Sequence, residues 1–108
     1  MSWDVLIVGA GPSGCATGMA LAERDPSLAA RTLCIDKAHH PRPKPCGGGL
    51  TGQMLAELER LGVALDVPSV PIHTCTSVFR ATRYDLPLKT PFAVIRRDQF
   101  DASLANAM

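Results

Sequence analysis

The first third of the chain combines two short apolar segments with one segment of helical periodicity. Val5–Val8 are four consecutive apolar residues, a pattern typical of a strand that is buried on both faces. Small and apolar residues predict a helix over Ser13–Arg24, and Pro26 stops it because the residue before a proline avoids the helical conformation. After a connection over residues 27–31, a second strand is predicted over Thr32–Asp36. The pattern predicts the β–α–β start of a parallel sheet.

A long loop and a second helix are predicted in the middle of the chain. Residues 37–49 contain three prolines and three consecutive glycines, and a loop of this length in a compact domain usually has a function. The helix is expected to begin near Thr51 and to end at Gly62, because glycine suits the left-handed conformation found at helix ends. Its apolar stripe consists of Met54, Leu55, Leu58 and Leu61.

The remaining segments predict a small β-rich region and a last helix. Residues 72–82 are rich in β-branched side chains and predict a strand, and the pair Tyr84-Asp85 predicts a turn. Two further short strands are expected over residues 86–88 and 92–95, with prolines at edge positions. Asp98 is expected to cap a last helix. The apolar side of that helix is formed by Phe100, Leu104 and Met108.

The composition is that of a folded protein without a strong net charge. The chain has 108 residues, 46% of them hydrophobic, and its 11 basic and 10 acidic residues give a net charge of +1. This balance does not favour a nucleic-acid partner. No apolar segment is long enough to span a membrane, and no basic segment precedes the first one, as a signal peptide requires. We therefore expect a cytoplasmic protein.

The cysteines and histidines do not predict a metal site. The four cysteines form no C-x-x-C pair, so a zinc site is not expected. Cys15, Cys34 and Cys75 are predicted to be small buried residues. His39 and His40 are adjacent and therefore point in different directions, which predicts solvated loop residues and not metal ligands.

The sequence Gly9-Ala10-Gly11-Pro12-Ser13-Gly14 is a G-x-G-x-x-G motif in the context that gives it specificity. It follows a predicted strand, opens a predicted helix, and is followed about 20 residues later by an acid, Asp36, at the end of the second strand. Gly9 permits the tight turn, Gly11 lets the backbone approach a pyrophosphate, and Gly14 lets the helix lie close to the sheet. The motif predicts a dinucleotide-binding site.

The first helix and the acid would hold different parts of the dinucleotide. Pro12 and Ser13 lie in the first turn of the helix, where free N–H groups and the positive end of the helix dipole attract phosphates. Asp36 is expected to accept hydrogen bonds from ribose hydroxyls. The neighbouring Lys37 belongs to the same candidate set, but Asp36 would repel a 2′-phosphate, so NADP is disfavoured at this site.

The loop Pro41–Leu50, with the sequence P-R-P-K-P-C-G-G-G-L, is the second informative segment. Arg42 and Lys44 could neutralise phosphate charge, and the glycines could let the backbone approach a flat ring system. The alternative is a solvated loop that its prolines stiffen. Cys46 also has two interpretations: a residue beside the ring system, where the nearby cations favour its thiolate, or a small loop residue that simply fits.

Together with Val94–Asp101, which read V-I-R-R-D-Q-F-D, these motifs resemble the geranylgeranyl reductase family. This family belongs to the flavoproteins with the para-hydroxybenzoate hydroxylase fold, and the similarity extends over essentially the whole chain. The G-x-G-x-x-G motif is shared by many FAD and NAD proteins, whereas K-x-C-G-G-G-L is much more specific. The resemblance implies bound FAD, reduction of the flavin by NAD(P)H, and hydride transfer to a carbon–carbon double bond of an isoprenoid lipid.

The resemblance also assigns roles to single residues. Arg97 matches the arginine that approaches the FAD ribose or phosphates, Cys46 is the candidate catalytic residue, and Asp36 replaces the Glu that is usual in FAD members. The motifs and the resemblance together give the candidate cofactor-binding residues Gly9, Gly11, Pro12, Ser13, Gly14, Asp36, Lys37, Arg42, Lys44, Cys46, Gly47, Gly48, Gly49 and Arg97.

Three other functions compete with the reductase. A hydroxylase or halogenase of the same fold would use oxygen, and a non-catalytic FAD-binding fragment would carry no reaction at all. An NAD dehydrogenase would leave residues 42–50 without a purpose. Because no third parallel strand follows the last predicted helix, we expect residues 1–108 to be a partial FAD-binding domain, the N-terminal part of a two-domain flavoprotein. An isoprenoid substrate would bring such a protein to a membrane surface.

Overall fold

The parallel strand pair at the start of the chain is confirmed. A computed structural model describes residues 2–108. In it, β1 (Val5–Val8) pairs in parallel with β2 (Thr32–Ile35), and α1 (Pro12–Arg24) connects the two strands. The fold is therefore α/β with the predicted β–α–β start. Only Ile7 of β1 is buried, whereas Leu6 and Val8 are exposed, so the prediction of a strand buried on both faces is wrong for the described residues.

A short helix replaces the connection that was predicted between α1 and β2. This helix, α2, spans Pro26–Ala29. The Asp25 carboxylate caps it by accepting a hydrogen bond of 2.9 Å from the N–H of Leu28, and Pro26 occupies the first helical position, where a missing N–H costs nothing. The proline that ends α1 therefore also begins α2.

The long loop and the helix after it agree with the sequence. The loop leads into β3 (Gly49–Leu50), and α3 (Gly52–Arg60) follows directly. The Thr51 hydroxyl caps α3 by accepting a hydrogen bond of 3.2 Å from the N–H of Met54. Gly62 has a φ of 73°, the left-handed conformation expected of a glycine after a helix.

The β-rich region is one long hairpin. β4 (Ser69–Phe79) pairs antiparallel with β5 (Thr82–Ile95), and the chain turns at residues 80–81. The predicted turn at Tyr84-Asp85 is wrong, because these residues pair with β4, and the two predicted short strands are parts of β5. The strand order is β3–β5–β4, and β3 contacts only the end of β5. The rest of β5 is an edge, so its prolines break no ladder on that side.

The last helix, α4 (Arg97–Ala107), begins two residues earlier than predicted. Its N-cap is Arg96, and the predicted cap Asp98 lies inside the first turn. There its negative charge is favourable near the positive end of the helix dipole, and its carboxylate accepts a hydrogen bond of 2.7 Å from Arg96. Phe100 and Leu104 are buried as predicted, whereas Met108 lies after the helix and is exposed.

The core is formed by residues of α1, β3, the end of β5 and α4. It consists of Cys15, Leu50, Ala93, Ile95, Phe100 and Leu104. Cys34 is half-buried, and Cys75 is exposed on the hairpin, so the predicted burial of Cys75 is wrong. Between residues 2 and 108, no helix is long and apolar enough to cross a membrane.

Candidate functional site

The structure gives different reasons for the glycines of the G-x-G-x-x-G motif. Gly9 has a φ of 108°, which favours glycine, and its N–H donates a hydrogen bond of 2.7 Å to the carbonyl of Ile35 on β2. A Cβ on Gly14 would lie 1.8 Å from the carbonyl oxygen of Gly9, so only glycine lets α1 start so close to the turn. At Gly11, a Cβ would have one neighbour within 4 Å, the Nη2 of Arg42 at 3.6 Å.

The N-terminus of α1 has no side-chain cap. Gly11 is the N-cap residue and offers no side-chain oxygen, while Pro12 has no N–H to donate. The first turn of a helix leaves its N–H groups without backbone partners, and they carry a partial positive charge. This end of α1 is therefore suited to an anion, as the motif predicts.

The carboxylate of Asp36 is fixed by the backbone on both of its oxygens. Oδ2 accepts a hydrogen bond of 2.7 Å from the N–H of Ala10, and Oδ1 accepts one of 2.7 Å from the N–H of Ala38. The bond from Ala10, followed by that from Ala38, lowers the pKa of Asp36 below its ordinary value. The carboxylate is exposed and ionised, and each oxygen retains a lone pair for a hydroxyl donor.

A buried carboxylate that the sequence analysis did not single out joins the loop to α4. Asp101 is fully buried and binds two arginines. Arg42 Nη1 donates to Asp101 Oδ2 at 2.7 Å, and Arg97 donates to both oxygens, from Nε at 2.8 Å and from Nη2 at 3.0 Å. Arg97 and Asp101 are four residues apart in α4, a spacing that favours an ion pair, but the helix predicted from Asp98 onward left Arg97 outside it. The partner in the loop could not be read from the sequence.

The two arginines keep the buried carboxylate charged. Burial disfavours the ionised form of Asp101, but the hydrogen bonds from Arg97 and Arg42 outweigh it and lower the pKa of Asp101. In return, the hydrogen bond to Asp101 raises the pKa of Arg97. The cluster of Arg42, Arg97 and Asp101, here called the arginine cluster, therefore has a formal charge of +1.

Cys46 lies next to this cluster. Its side chain is exposed, and its Sγ accepts a hydrogen bond of 3.4 Å from the N–H of Gly48. This bond, and then a hydrogen bond from Arg97, lower the pKa of the Cys46 thiol. The predicted preference for the thiolate is therefore supported, although the cation responsible is Arg97 and not Arg42 or Lys44.

Two neighbouring grooves collect most of the predicted residues. The first, here called the phosphate groove, has a volume of about 480 Å³. Its lining includes Gly9, Gly11, Pro12, Ser13, Gly14, Asp36, Arg42, Lys44 and Arg97. The second, here called the Cys46 groove, has a volume of about 460 Å³, and Cys46 and Gly47 are part of its lining. Lys44 and Arg97 line both grooves, so the two form one continuous surface.

Three candidate residues lie outside the linings of these grooves. Lys37 is exposed beside Asp36. Gly48 is buried against β5, where a Cβ would lie 1.9 Å from the carbonyl oxygen of Ile95, and Gly49 belongs to β3. Glycine at position 48 is therefore explained by packing. A role of these residues in cofactor binding stays a prediction.

The two histidines of the loop differ from each other. His39 is exposed, as predicted. His40 is half-buried, and its Nε2 is buried without a hydrogen-bond partner, so the prediction of a solvated side chain is wrong for this residue. No group of three or more His, Cys, Asp or Glu side chains placed to hold a metal ion occurs in residues 2–108.

The chain belongs to the FAD-binding domain family. The family described as "FAD binding domain" matches residues 2–103, nearly the whole chain. Fold and site agree with this class, because the uncapped start of α1, the fixed Asp36 carboxylate and the arginine cluster suit a diphosphate and a ribose. The expectation of a flavoprotein fold is therefore confirmed. The finer resemblance to geranylgeranyl reductases stays a prediction.

Curated relatives of this chain include a reductase and a brominase. Menaquinone reductase of Mycobacterium tuberculosis (strain ATCC 25618 / H37Rv) is 50% identical over 64 residues, which are 57% of this chain and 14% of that protein. The 1H-pyrrole-2-carbonyl-(peptidyl-carrier protein) brominase of Pseudoalteromonas luteoviolacea is 29% identical over 108 residues, which are 95% of this chain and 25% of that protein. The chain thus spans a quarter or less of the length of these relatives.

Solved structures similar to this chain include flavin-dependent halogenases. The flavin-dependent brominase Bmp2 superposes with a TM-score of 0.80 at 25% identity, over 98% of this chain and 27% of that chain. The halogenase PltM, in complex with phloroglucinol and FAD, superposes with a TM-score of 0.64 at 23% identity, over 97% of this chain and 26% of that chain. The likeness to PltM concerns the fold alone.

Proposed function

We propose that this chain is the FAD-binding part of a flavin-dependent reductase that acts on isoprenoid lipids. The observation that favours the reductase is the 50% identity over 64 residues to menaquinone reductase, a protein whose name specifies an isoprenoid quinone as substrate. When bound, FAD would supply a hydride to a carbon–carbon double bond, and a separate proton would complete the saturated product. NAD(P)H is the proposed source of the hydride.

The residues of this chain would bind and orient the flavin. The first turn of α1 and the arginine cluster would hold the diphosphate, and Asp36 would accept hydrogen bonds from the adenosine ribose. The Cys46 groove adjoins the phosphate groove through Lys44 and Arg97, so an extended dinucleotide could reach from Asp36 to Cys46. The flavin ring is therefore proposed to lie beside Cys46.

Cys46 is proposed to contact the flavin and to help position the substrate. Its exposed sulfur, its lowered pKa and its place in the second groove support this role. The test is a Cys46→Ala variant of the natural polypeptide that carries these residues, assayed for lipid reduction and for FAD content. We expect unchanged FAD content and reduced turnover. Full turnover on a lipid substrate would exclude the catalytic role.

A halogenase or hydroxylase of the same fold is the second candidate. It is favoured by the superposition on the brominase Bmp2 over 98% of this chain and by the similarity to the Pseudoalteromonas luteoviolacea brominase over 95% of it. Such an enzyme needs oxygen, whereas a reductase does not. The two candidates therefore differ in a single requirement that can be measured.

Anaerobic turnover separates the two candidates. The natural polypeptide is loaded with FAD, reduced with NAD(P)H without oxygen, and mixed with menaquinone or a geranylgeranyl lipid. The reductase predicts a product that, after the quinone ring has been reoxidised in air, retains two added hydrogen atoms for each side-chain double bond reduced. No product without oxygen, together with halide incorporation or hydroxylation when oxygen is admitted, would reject the reductase in favour of the second candidate.

Contact with a membrane surface is part of the same proposal. An isoprenoid lipid resides in a bilayer, so the enzyme must reach it there. A vesicle sedimentation assay with the natural polypeptide tests this, and recovery of all the protein in the supernatant would contradict it.

A further inference from the structure

Asp101 is a fully buried acid on the side of the molecule that is proposed to bind an anion. It lies in α4 and connects two arginines that are far apart in sequence, since Arg42 is 59 residues away in the loop. Its two oxygens accept three hydrogen bonds of 2.7 to 3.0 Å. Burying a charge is costly, so the carboxylate of Asp101 needs both arginines as partners in order to stay ionised in this position.

The geometry leaves one end of Arg42 free for a ligand. Its Nη1 is held by Asp101, whereas its Nη2 lies 3.6 Å from the point where a Cβ on Gly11 would stand. The guanidinium is a planar fork, so fixing one nitrogen also fixes the direction of the other. Arg42 therefore presents its remaining N–H groups at the turn that would hold the diphosphate. Arg97 lines the same groove and is held at Nε and Nη2.

We propose that Asp101 is a positioning residue that orients Arg42 and Arg97 toward the diphosphate of FAD. This inference rests on the proposed FAD site. Asp101 would not touch the cofactor, because it is fully buried behind the two arginines. Its contribution would be to hold two long, flexible cationic side chains in the geometry that binds the ligand before the ligand arrives.

Charge and position predict opposite effects when Asp101 is replaced. If only the net charge mattered, Asp101→Asn would remove a negative charge from the neighbourhood of the diphosphate and tighten FAD binding. If Asp101 positions the arginines, the same change loosens both guanidinium groups and weakens FAD binding. The direction of the change in affinity therefore identifies the mechanism.

The experiment compares the affinity of the protein for FAD and for riboflavin, which has no phosphate. We expect Asp101→Asn to weaken FAD binding by about tenfold or more, the effect of losing a charge-assisted hydrogen bond, and to leave riboflavin binding within about twofold. The matched control is Asp4→Asn, which removes the same charge from an exposed acid that pairs with the exposed Arg31 and lines neither groove. We expect that control to leave FAD binding unchanged or slightly tighter.

A second variant keeps the test decisive if Asp101→Asn does not fold. Arg42→Lys keeps the positive charge in the loop but removes the planar fork of the guanidinium. It too is expected to weaken FAD binding several-fold without affecting riboflavin binding. The inference is overturned if the affinity of Asp101→Asn for FAD equals or exceeds that of the wild type. If that variant does not fold, the same result for Arg42→Lys overturns it. So does an equal loss for both ligands, which indicates general damage. If the wild type binds no FAD, the proposed function fails as well, so the two failures are distinguishable.

Discussion

At the scale of single residues, glycine is required only where two backbone segments of this site lie too close for a Cβ. At Gly14 an added Cβ would meet the carbonyl of Gly9 at 1.8 Å, whereas at Gly47 nothing lies within 4 Å. From the sequence alone, both glycines were predicted to bind the cofactor. The structure separates them, because only the first is required by packing.

The two glycines therefore give a matched pair of variants. Gly14→Ala is expected to destabilise the protein by about 3 kcal/mol, the upper part of the range for inserting atoms into a packed region. Gly47→Ala is expected to change the free energy of unfolding by less than about 0.5 kcal/mol. Chemical denaturation of both variants provides the measurement. Equal stabilities of the two variants would contradict the packing argument.

The stability that Asp101 provides should depend on pH. Its pKa is lower in the folded protein than the value of about 3.9 in an unfolded chain, so its contribution is present above that value and is lost as pH falls through the folded pKa. The difference in stability between the wild type and Asp101→Asn should therefore shrink as the pH falls below about 4. Denaturation curves over this pH range test it, and a constant difference would show that the charge of Asp101 is not responsible.

The Cys46 thiol should react at lower pH than an ordinary cysteine. Its pKa is lowered by the hydrogen bond from the N–H of Gly48 and then by the one from Arg97, so the midpoint of alkylation by iodoacetamide is expected below that of a free cysteine peptide. Mass spectrometry of the labelled peptide follows the reaction, and a Cys75→Ser background removes the thiol on the hairpin, which is also exposed. A midpoint equal to that of a free cysteine peptide would rule out this effect of Gly48 and Arg97.

At the scale of elements, the helices could be predicted better than the strands. Thr51 and Gly62 delimit α3 by local chemistry, and both are where the sequence indicates. Local sequence did not reveal that residues 82–95 form one strand, because Tyr84-Asp85 and the prolines of this segment are turn and edge signals that the pairing with β4 overrides. The same holds for Cys75, whose exposure depends on what packs against the hairpin.

The capping of α3 gives a prediction at this scale. Thr51→Ala removes the oxygen that accepts from the N–H of Met54, so it should cost about 1 kcal/mol of stability. Thr51→Ser keeps the oxygen and is the control, with an expected loss of a few tenths of that amount at most. Thermal unfolding measures both. If the serine variant is as unstable as the alanine variant, the hydroxyl is not the cause.

At the scale of the whole molecule, the site joins segments that are far apart in sequence. The motif after β1 and the acid after β2 could be predicted, because their spacing is local to one β–α–β unit. The link from Arg42 in the loop to Asp101 in α4 could not, because it depends on how the loop folds over the start of α1. The sequence therefore predicted most of the residues that line the two grooves, but not Asp101, which connects Arg42 to Arg97.

The account depends on one claim, that these elements together hold a single FAD molecule. Equilibrium dialysis of the purified wild-type protein against FAD, repeated with excess ADP as a competitor, tests it most directly. We predict one FAD per chain and displacement by ADP, which carries the same diphosphate and ribose. A protein that retains no flavin from an excess of FAD would contradict the claim.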